Sequence, residues 1–283
     1  METNGTEASP LTRVGFIGLG SQGGPMARRI IDAGYPTTLW ARRPASLAAF
    51  ADTPATVAGS PAELAAASDL VCLCVVADTD VEQVIGGENG VLTGLRDGGV
   101  IAVHSTVHPD TCRRLAAQAA ALGVRLIDAP VSGGGMGAAA GRLLVMVGGD
   151  PETVRFCRPV FETYADPVIH LGPVGSGQVA KLLNNVLFTA NLATAADALA
   201  LGQSLDVDPG LLSQVLSHGS ANSFALARVS SAGGTLDRIA AHAGPLLQKD
   251  VRLVADLATA AGAPTGAVLS AADATLALME LPR

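Results

Sequence analysis

The chain is poor in aromatic residues, with one Trp, two Tyr and six Phe among 283 residues. Its core has to come largely from Ala, Val and Leu, which suits helices packed closely on a sheet. Charge is also scarce, at 15% against 49% hydrophobic residues, a balance that excludes disorder away from the ends. What charge there is leans negative. A net −7 gives no attraction for a phosphate backbone and argues against a nucleic-acid partner. The four cysteines, Cys72, Cys74, Cys112 and Cys157, have neither zinc-site spacing nor the density of a disulfide scaffold. Five scattered histidines supply no metal site and no serine-type triad. No run reaches the roughly 18 apolar residues of a membrane span. The opening 1–12 is polar and reads as a loose leader rather than a signal peptide. These absences predict a cytoplasmic protein with no metal, membrane or nucleic-acid partner.

What is present is alternation. Short apolar runs at 13–17, 37–40, 70–76, 99–103, 125–127, 143–147 and 168–170 read as strands. Unbroken runs such as Leu70 to Val76 suit strands buried on both faces. Helical stretches lie between them, at 25–33, 46–50, 110–122 and 152–164. Ser60-Pro61 with Glu63 marks another helix start. Alternating strand and helix predicts a doubly wound α/β sheet of Rossmann type over 13–172. The texture then changes. Residues 178–201 contain no Gly or Pro and read as one long interdomain helix. Helices at 209–216, 223–229, 245–261 and 264–279 follow, predicting an all-α domain over 173–283.

Right after the first strand comes Gly18-Leu19-Gly20-Ser21-Gln22-Gly23, which fits G-x-G-x-x-G. Between a strand and a helix this pattern reads as a dinucleotide loop. The first glycine allows the tight turn, the second lets backbone approach a pyrophosphate, and the third lets the helix pack on the strand. The helix N-terminus adds free N–H groups for phosphate. The second strand ends in Trp40-Ala41-Arg42-Arg43, with no acid for a ribose 2′-hydroxyl. Two guanidiniums suit a 2′-phosphate, so NADP is expected in preference to NAD.

Further motifs carry a likeness. They are His104-Ser105-Thr106, the run Asp128 to Gly134 (DAPVSGG), Gly141 to Gly149 (GRLLVMVGG), and the run Gly175 to Asn185 (GSGQVAKLLNN). With the glycine loop, they resemble the β-hydroxyacid dehydrogenase family, of 3-hydroxyisobutyrate dehydrogenase type, across about 14–260. The resemblance implies roles for individual residues. Lys181 would be the catalytic lysine. Ser132, Gly133 and Gly134 would hold a substrate carboxylate, and Asn185 would contact substrate. Thr106, Val75 and Val76 would touch the cofactor, with Lys249 near its nicotinamide end. It also implies a helical C-terminal domain like that of 6-phosphogluconate dehydrogenase. The chain departs from the family pattern at Gln22 (usually Met), Val76 (usually Pro) and His104 (usually an acid), and it stops short at Arg283.

The chemistry agrees with the resemblance. A hydroxyl that gives up hydride must also give up its proton. A lysine can take that proton only if its pKa falls from about 10.4, which desolvation and a cationic nicotinium ring would favour. Asn184 and Asn185 lie three and four residues after Lys181 and share its helix face. The expected activity is hydride transfer between a nicotinamide cofactor and a small β-hydroxy acid or its semialdehyde. An imine reductase on the same scaffold is an alternative that the lysine opposes. A non-catalytic dinucleotide sensor would not need the lysine and its paired amides. The alanine-rich spine predicts a homodimer or homotetramer.

Overall fold

The computed structural model describes residues 12–283, so the leader expected over 1–12 lies, apart from Thr12, outside the described residues. The chain divides into two compact units, Met1–Lys181 and Leu182–Arg283. The division falls inside the long helix, whereas the sequence pattern put it before that helix, at 172/173.

The first unit alternates strand and helix through β1 (Val14–Ile17), α1 (Gly23–Asp32), β2 (Thr37–Trp40), β3 (Thr56–Val57) and α2 (Pro61–Ala66). It continues through β4 (Leu70–Leu73), α3 (Asp78–Gly86), α4 (Val91–Gly94), β5 (Val100–Val103), α5 (Pro109–Ala120) and β6 (Arg125–Asp128). β7 (Val131–Ser132), α6 (Gly134–Ala139), β8 (Leu143–Gly148), α7 (Pro151–Phe161) and β9 (Ala165–Gly172) follow. The strands form one sheet in the order β3-β2-β1-β4-β5-β6-β8-β7, with β9 paired to β8. From β3 to β6 every pairing is parallel. β8 then runs antiparallel to β6 and β7.

Neighbouring residues on each strand feed opposite faces. Phe16, Leu70, Cys72, Val100 and Ala102 join one buried layer with Met26 and Ile30 of α1. Ile17, Val71, Leu73, Ile101 and Val103 join the other with Leu64, Ile85 and Leu115. Both faces are covered, which is why these strands read as unbroken apolar runs. Burying one such side chain is worth about 1.5–3 kcal/mol. The exposed Arg28–Asp52 pair lies in solvent, which screens it. The apolar layers therefore hold the sheet. The Ser60-Pro61 start behaves as its sequence suggests: the Ser60 hydroxyl accepts from Glu63 N (3.1 Å), and the Glu63 carboxylate accepts from Gly59 N (2.8 Å).

The long helix α8 (Ser176–Ser204) is about 43 Å long at 1.5 Å per residue and outruns the expected 178–201. In the second unit, its later turns pack with α9 (Pro209–His218), α10 (Phe224–Ser231), α11 (Asp237–Ala260) and α12 (Gly266–Leu278). Leu182, Val186, Leu192, Val251 and Leu276 lie in their shared core. Pro245, expected to open a helix, lies inside α11, so the helix starts eight residues earlier than its proline suggested. Among the described residues no helix is long and apolar enough to cross a membrane.

Candidate active site

The parallel sheet changes direction of build between β1 and β4, and ligands of such sheets bind beyond the carboxyl ends of the strands at that point. A cavity of about 520 Å³ opens there. One side of its wall comes from the ends of three strands: Gly18, Leu19 and Gly20 at β1; Trp40, Arg42 and Arg43 at β2; Cys74, Val75 and Val76 at β4; α3 and the residues after it, from Asp80 to Gly90, add most of the rest. β4 stops at Leu73, so the two valines are loop residues rather than the strand residues their apolar run suggested.

The glycine loop fits a dinucleotide on structural grounds. Gly18 has φ +100°, and a Cβ on it would lie 2.1 Å from the Cys74 carbonyl oxygen. A Cβ on Gly23 would meet the Gly18 carbonyl oxygen at 2.0 Å. Gly20 faces open space, leaving its backbone approachable. Ser21 and Gln22 are off the cavity wall; Gln22 precedes α1 without capping it, and its Nε2 is buried with no hydrogen-bond partner. Arg42 pairs with Asp80 at 2.8 Å, both on the cavity wall, and Arg43 lines it too. Among the described residues no cluster of His, Cys, Asp or Glu could hold a metal.

His104 is no catalytic group. It is 2% exposed, with Nδ1 2.7 Å from the Ala129 carbonyl and Nε2 3.2 Å from the Tyr164 hydroxyl. A carbonyl only accepts, so Nδ1 carries the proton and Tyr164 donates to Nε2. Burial lowers the His104 pKa to about 4, the Ala129 bond opposing it. Its neutral form is part of the packing with Phe161 and Tyr164. As pH falls below about 6.5, the unfolded chain takes up the proton first. Stability is therefore lost between about pH 6.5 and 4, by ~3 kcal/mol in all. Urea midpoints at pH 7 and pH 5 should fall further apart for the wild type than for His104→Asn, by the equivalent of about 2 kcal/mol. Equal falls would contradict this assignment.

The lysine helix is anchored from beneath. Asp128, at the end of β6, is fully buried. It accepts from Gly175 N at 2.6 Å and Gln178 N at 2.8 Å, capping the start of α8. Burial raises its pKa, and these backbone donors oppose the rise. Gly177 leaves it room, since a Cβ there would sit 2.9 Å from Asp128 Oδ2. Gln178 is also fully buried. Its Nε2 donates to the Ser105 carbonyl at 2.8 Å, and its Oε1 accepts from Val107 N at 3.1 Å. Thr106, half-buried, sits between those two bonds. Lys181 is half-buried on the next turn of α8. Ser132 is half-buried, and Gly133 (φ +128°) and Gly134 (φ +67°) are exposed at the start of α6.

In the second unit Asn185 is pinned at both ends. Its Nδ2 donates to Asp250 at 2.6 Å, and its Oδ1 accepts from Asn184 at 3.0 Å. Asp250 is 4% exposed, and Lys249 Nζ lies 3.3 Å from its other oxygen. The chain has only two lysines, Lys181 and Lys249, against sixteen arginines. Sequence reasoning missed Asp128, Gln178 and Asp250 as supports. Their only local signals are an acid closing an apolar strand, a glutamine opening a helix, and an acid beside one of the two lysines.

A glycine loop at the switch point of a doubly wound sheet, followed by a helical unit, marks the class of dinucleotide-binding proteins. Residues 13–172 match the family model of the NAD-binding domain of 6-phosphogluconate dehydrogenase. Residues 175–280 match that of the NAD-binding region of NADP-dependent 3-hydroxyisobutyrate dehydrogenase. The chain is 35% identical over 267 residues to 3-hydroxyisobutyrate dehydrogenase of Pseudomonas aeruginosa, covering 91% of this chain and 90% of that one. It is 32% identical over 262 residues to an NAD-dependent L-serine dehydrogenase of the same organism, covering 90% and 88%. The solved structure of Mycobacterium tuberculosis 3-hydroxyisobutyrate dehydrogenase with L-serine superposes with a TM-score of 0.82 at 28% identity, over 95% and 98% of the two chains. The chain belongs to the β-hydroxyacid dehydrogenase family and is an NAD(P)-dependent oxidoreductase.

Proposed function

We propose that the protein oxidises a small β-hydroxy acid, of the 3-hydroxyisobutyrate or L-serine kind, with Lys181 as general base, and in reverse reduces the semialdehyde with Lys181 as general acid. The observation that carries this is Lys181 itself, held on the second turn of a helix whose first turn is bonded to the buried Asp128 and, through Gln178, to the backbone of Ser105 and Val107. The substrates in the relatives' names share a carboxylate and a β-hydroxyl, which sets the substrate class. When bound, the oxidised nicotinamide supplies a hydride acceptor. Lys181 takes the hydroxyl proton as the carbonyl forms and returns it in reduction. Backbone N–H groups at Ser132, Gly133 and Gly134 suit the carboxylate. Asn185, its amide oriented by Asp250, keeps one N–H to offer the substrate. Thr106, Val75 and Val76 are assigned to the cofactor and Lys249 to its nicotinamide end, with cofactor binding given to 13–172 and substrate binding and oligomerisation to 173–283. Initial rates of NADP and NAD reduction against a panel of small β-hydroxy acids test this reading, and no turnover on any of them would remove it.

NADP is the favoured cofactor. Arg43 lines the cavity, and Arg42 is already paired with Asp80 and has to give up that pair to serve a phosphate. Arg43→Ala should weaken NADP binding about tenfold and leave NAD within about twofold; Arg42→Ala should cost less. Equal losses for both cofactors would contradict a 2′-phosphate contact.

The protein is also assigned a homo-oligomeric state. Leu183, Leu187 and Leu201 on α8 and Leu205 just past its end are each more than half exposed in the single chain, and such a stripe suits a second copy. Light scattering should give at least twice the chain mass; a monomer would refute it.

A further inference from the structure

We infer that Gln178 is a positioning residue for Lys181: its buried amide latches the first turn of α8 to the loop after β5 and fixes where the lysine presents its amine. The inference rests on Lys181 as the proton-handling group proposed above. Gln178 makes three bonds with no solvent access: Nε2 to the Ser105 carbonyl, Oε1 from Val107 N, and its own N to Asp128. The two side-chain partners are backbone groups, one able only to accept and the other only to donate. The amide therefore has one orientation. Asparagine is too short to span the pair, glutamate lacks the donor, and leucine lacks both groups. Lys181 follows three residues later, about 5–6 Å away on the same side of the helix. A turn free to shift would carry the amine with it.

The latch also reaches the cofactor cavity. Val75, on its wall, donates its N–H to the Ser105 hydroxyl at 2.8 Å, and Ser105 in turn accepts from Gln178. Two side chains thus join the wall of the dinucleotide site to the helix that carries the lysine. A helix cap alone would explain Asp128, but it leaves the side chain of Gln178 unexplained.

Gln178→Glu keeps the volume and the acceptor and removes the donor; Gln178→Met removes both. In each, kcat for hydroxy-acid oxidation should fall about 30- to 100-fold, with KM and the NADP dissociation constant within about threefold. Amine-reactive labelling of cofactor-free protein, read at each lysine by mass spectrometry, gives a readout that needs no turnover. Lys181 labelling should change at least about threefold, while Lys249 serves as internal standard and stays constant. In a Lys181→Ala background Gln178→Glu should lower the residual rate no further. Gln178→Glu decides the matter if Gln178→Met fails to fold. An unchanged kcat with a lowered melting temperature would make Gln178 a structural staple only, and unchanged Lys181 labelling or an additive loss in the double variant would also overturn the inference. If the wild type turns over no hydroxy acid, the functional reading fails, and the labelling still decides the latch.

Discussion

Replacing Lys181 by alanine is expected to lower kcat for hydroxy-acid oxidation by about 10³-fold and to leave NADP affinity within about twofold. General acid–base catalysis by a positioned side chain is worth about 10²–10⁴-fold, and no second lysine lies on α8 to substitute. Lys181→Arg should not restore the rate, because a guanidinium stays protonated and cannot accept the hydroxyl proton. Both variants should melt like the wild type, since a half-buried side chain on a helix surface carries little of the core. Steady-state rates beside fluorescence titration of NADP separate the two effects. A Lys181→Ala enzyme with full kcat would show that the proton leaves by another route.

The second large effect falls on Asp128. Asp128→Ala should destabilise the first unit by about 4 kcal/mol, lowering its melting temperature by roughly 8–16 °C. The carboxylate is fully buried and answers the N–H groups of Gly175 and Gln178 at 2.6 and 2.8 Å. Removing it leaves both donors unsatisfied beside a cavity, and each orphaned group costs about 1–3 kcal/mol. Asp128→Asn keeps the shape but turns an N–H toward at least one of those donors, so it should rescue only part of the loss. The kcat of each surviving variant should fall too, because the turn below Lys181 loses its cap. Thermal melts and kcat on the same preparations check this. Wild-type stability in Asp128→Ala would mean that α8 is anchored elsewhere.

The features legible in the sequence are those written locally. The loop Gly18 to Gly23 lies between β1 and α1 as its spacing required, and its close contacts at Gly18 and Gly23 explain why those two positions admit no side chain. The two-sided burial of β1, β4 and β5 was visible as unbroken apolar runs. The missing parts depend on partners far along the chain. Gln178 meets residues 71 and 73 positions away, and Asn185 meets Asp250 across 65. No local pattern marks such pairs. α3 escaped notice because its run Asp78 to Gly86 is short and polar, yet Asp80 both accepts from Ala77 N and holds Arg42. His104 stands where the family pattern has an acid; only burial against Phe161 and Tyr164 shows it to be packing. Pro245 read as a boundary because prolines usually open helices, and α11 runs through it.

In the proposed reaction, hydride leaves the carbon bearing the hydroxyl of a small β-hydroxy acid. The most direct test uses 3-hydroxyisobutyrate and L-serine deuterated at that carbon, with NADP as acceptor, and mass spectrometry of the reduced cofactor. One deuterium is expected on the nicotinamide ring for at least one of the two acids, with a slowed rate where hydride transfer limits turnover. Reduced cofactor without deuterium, or no reduction with either acid while NADP still binds, would contradict it.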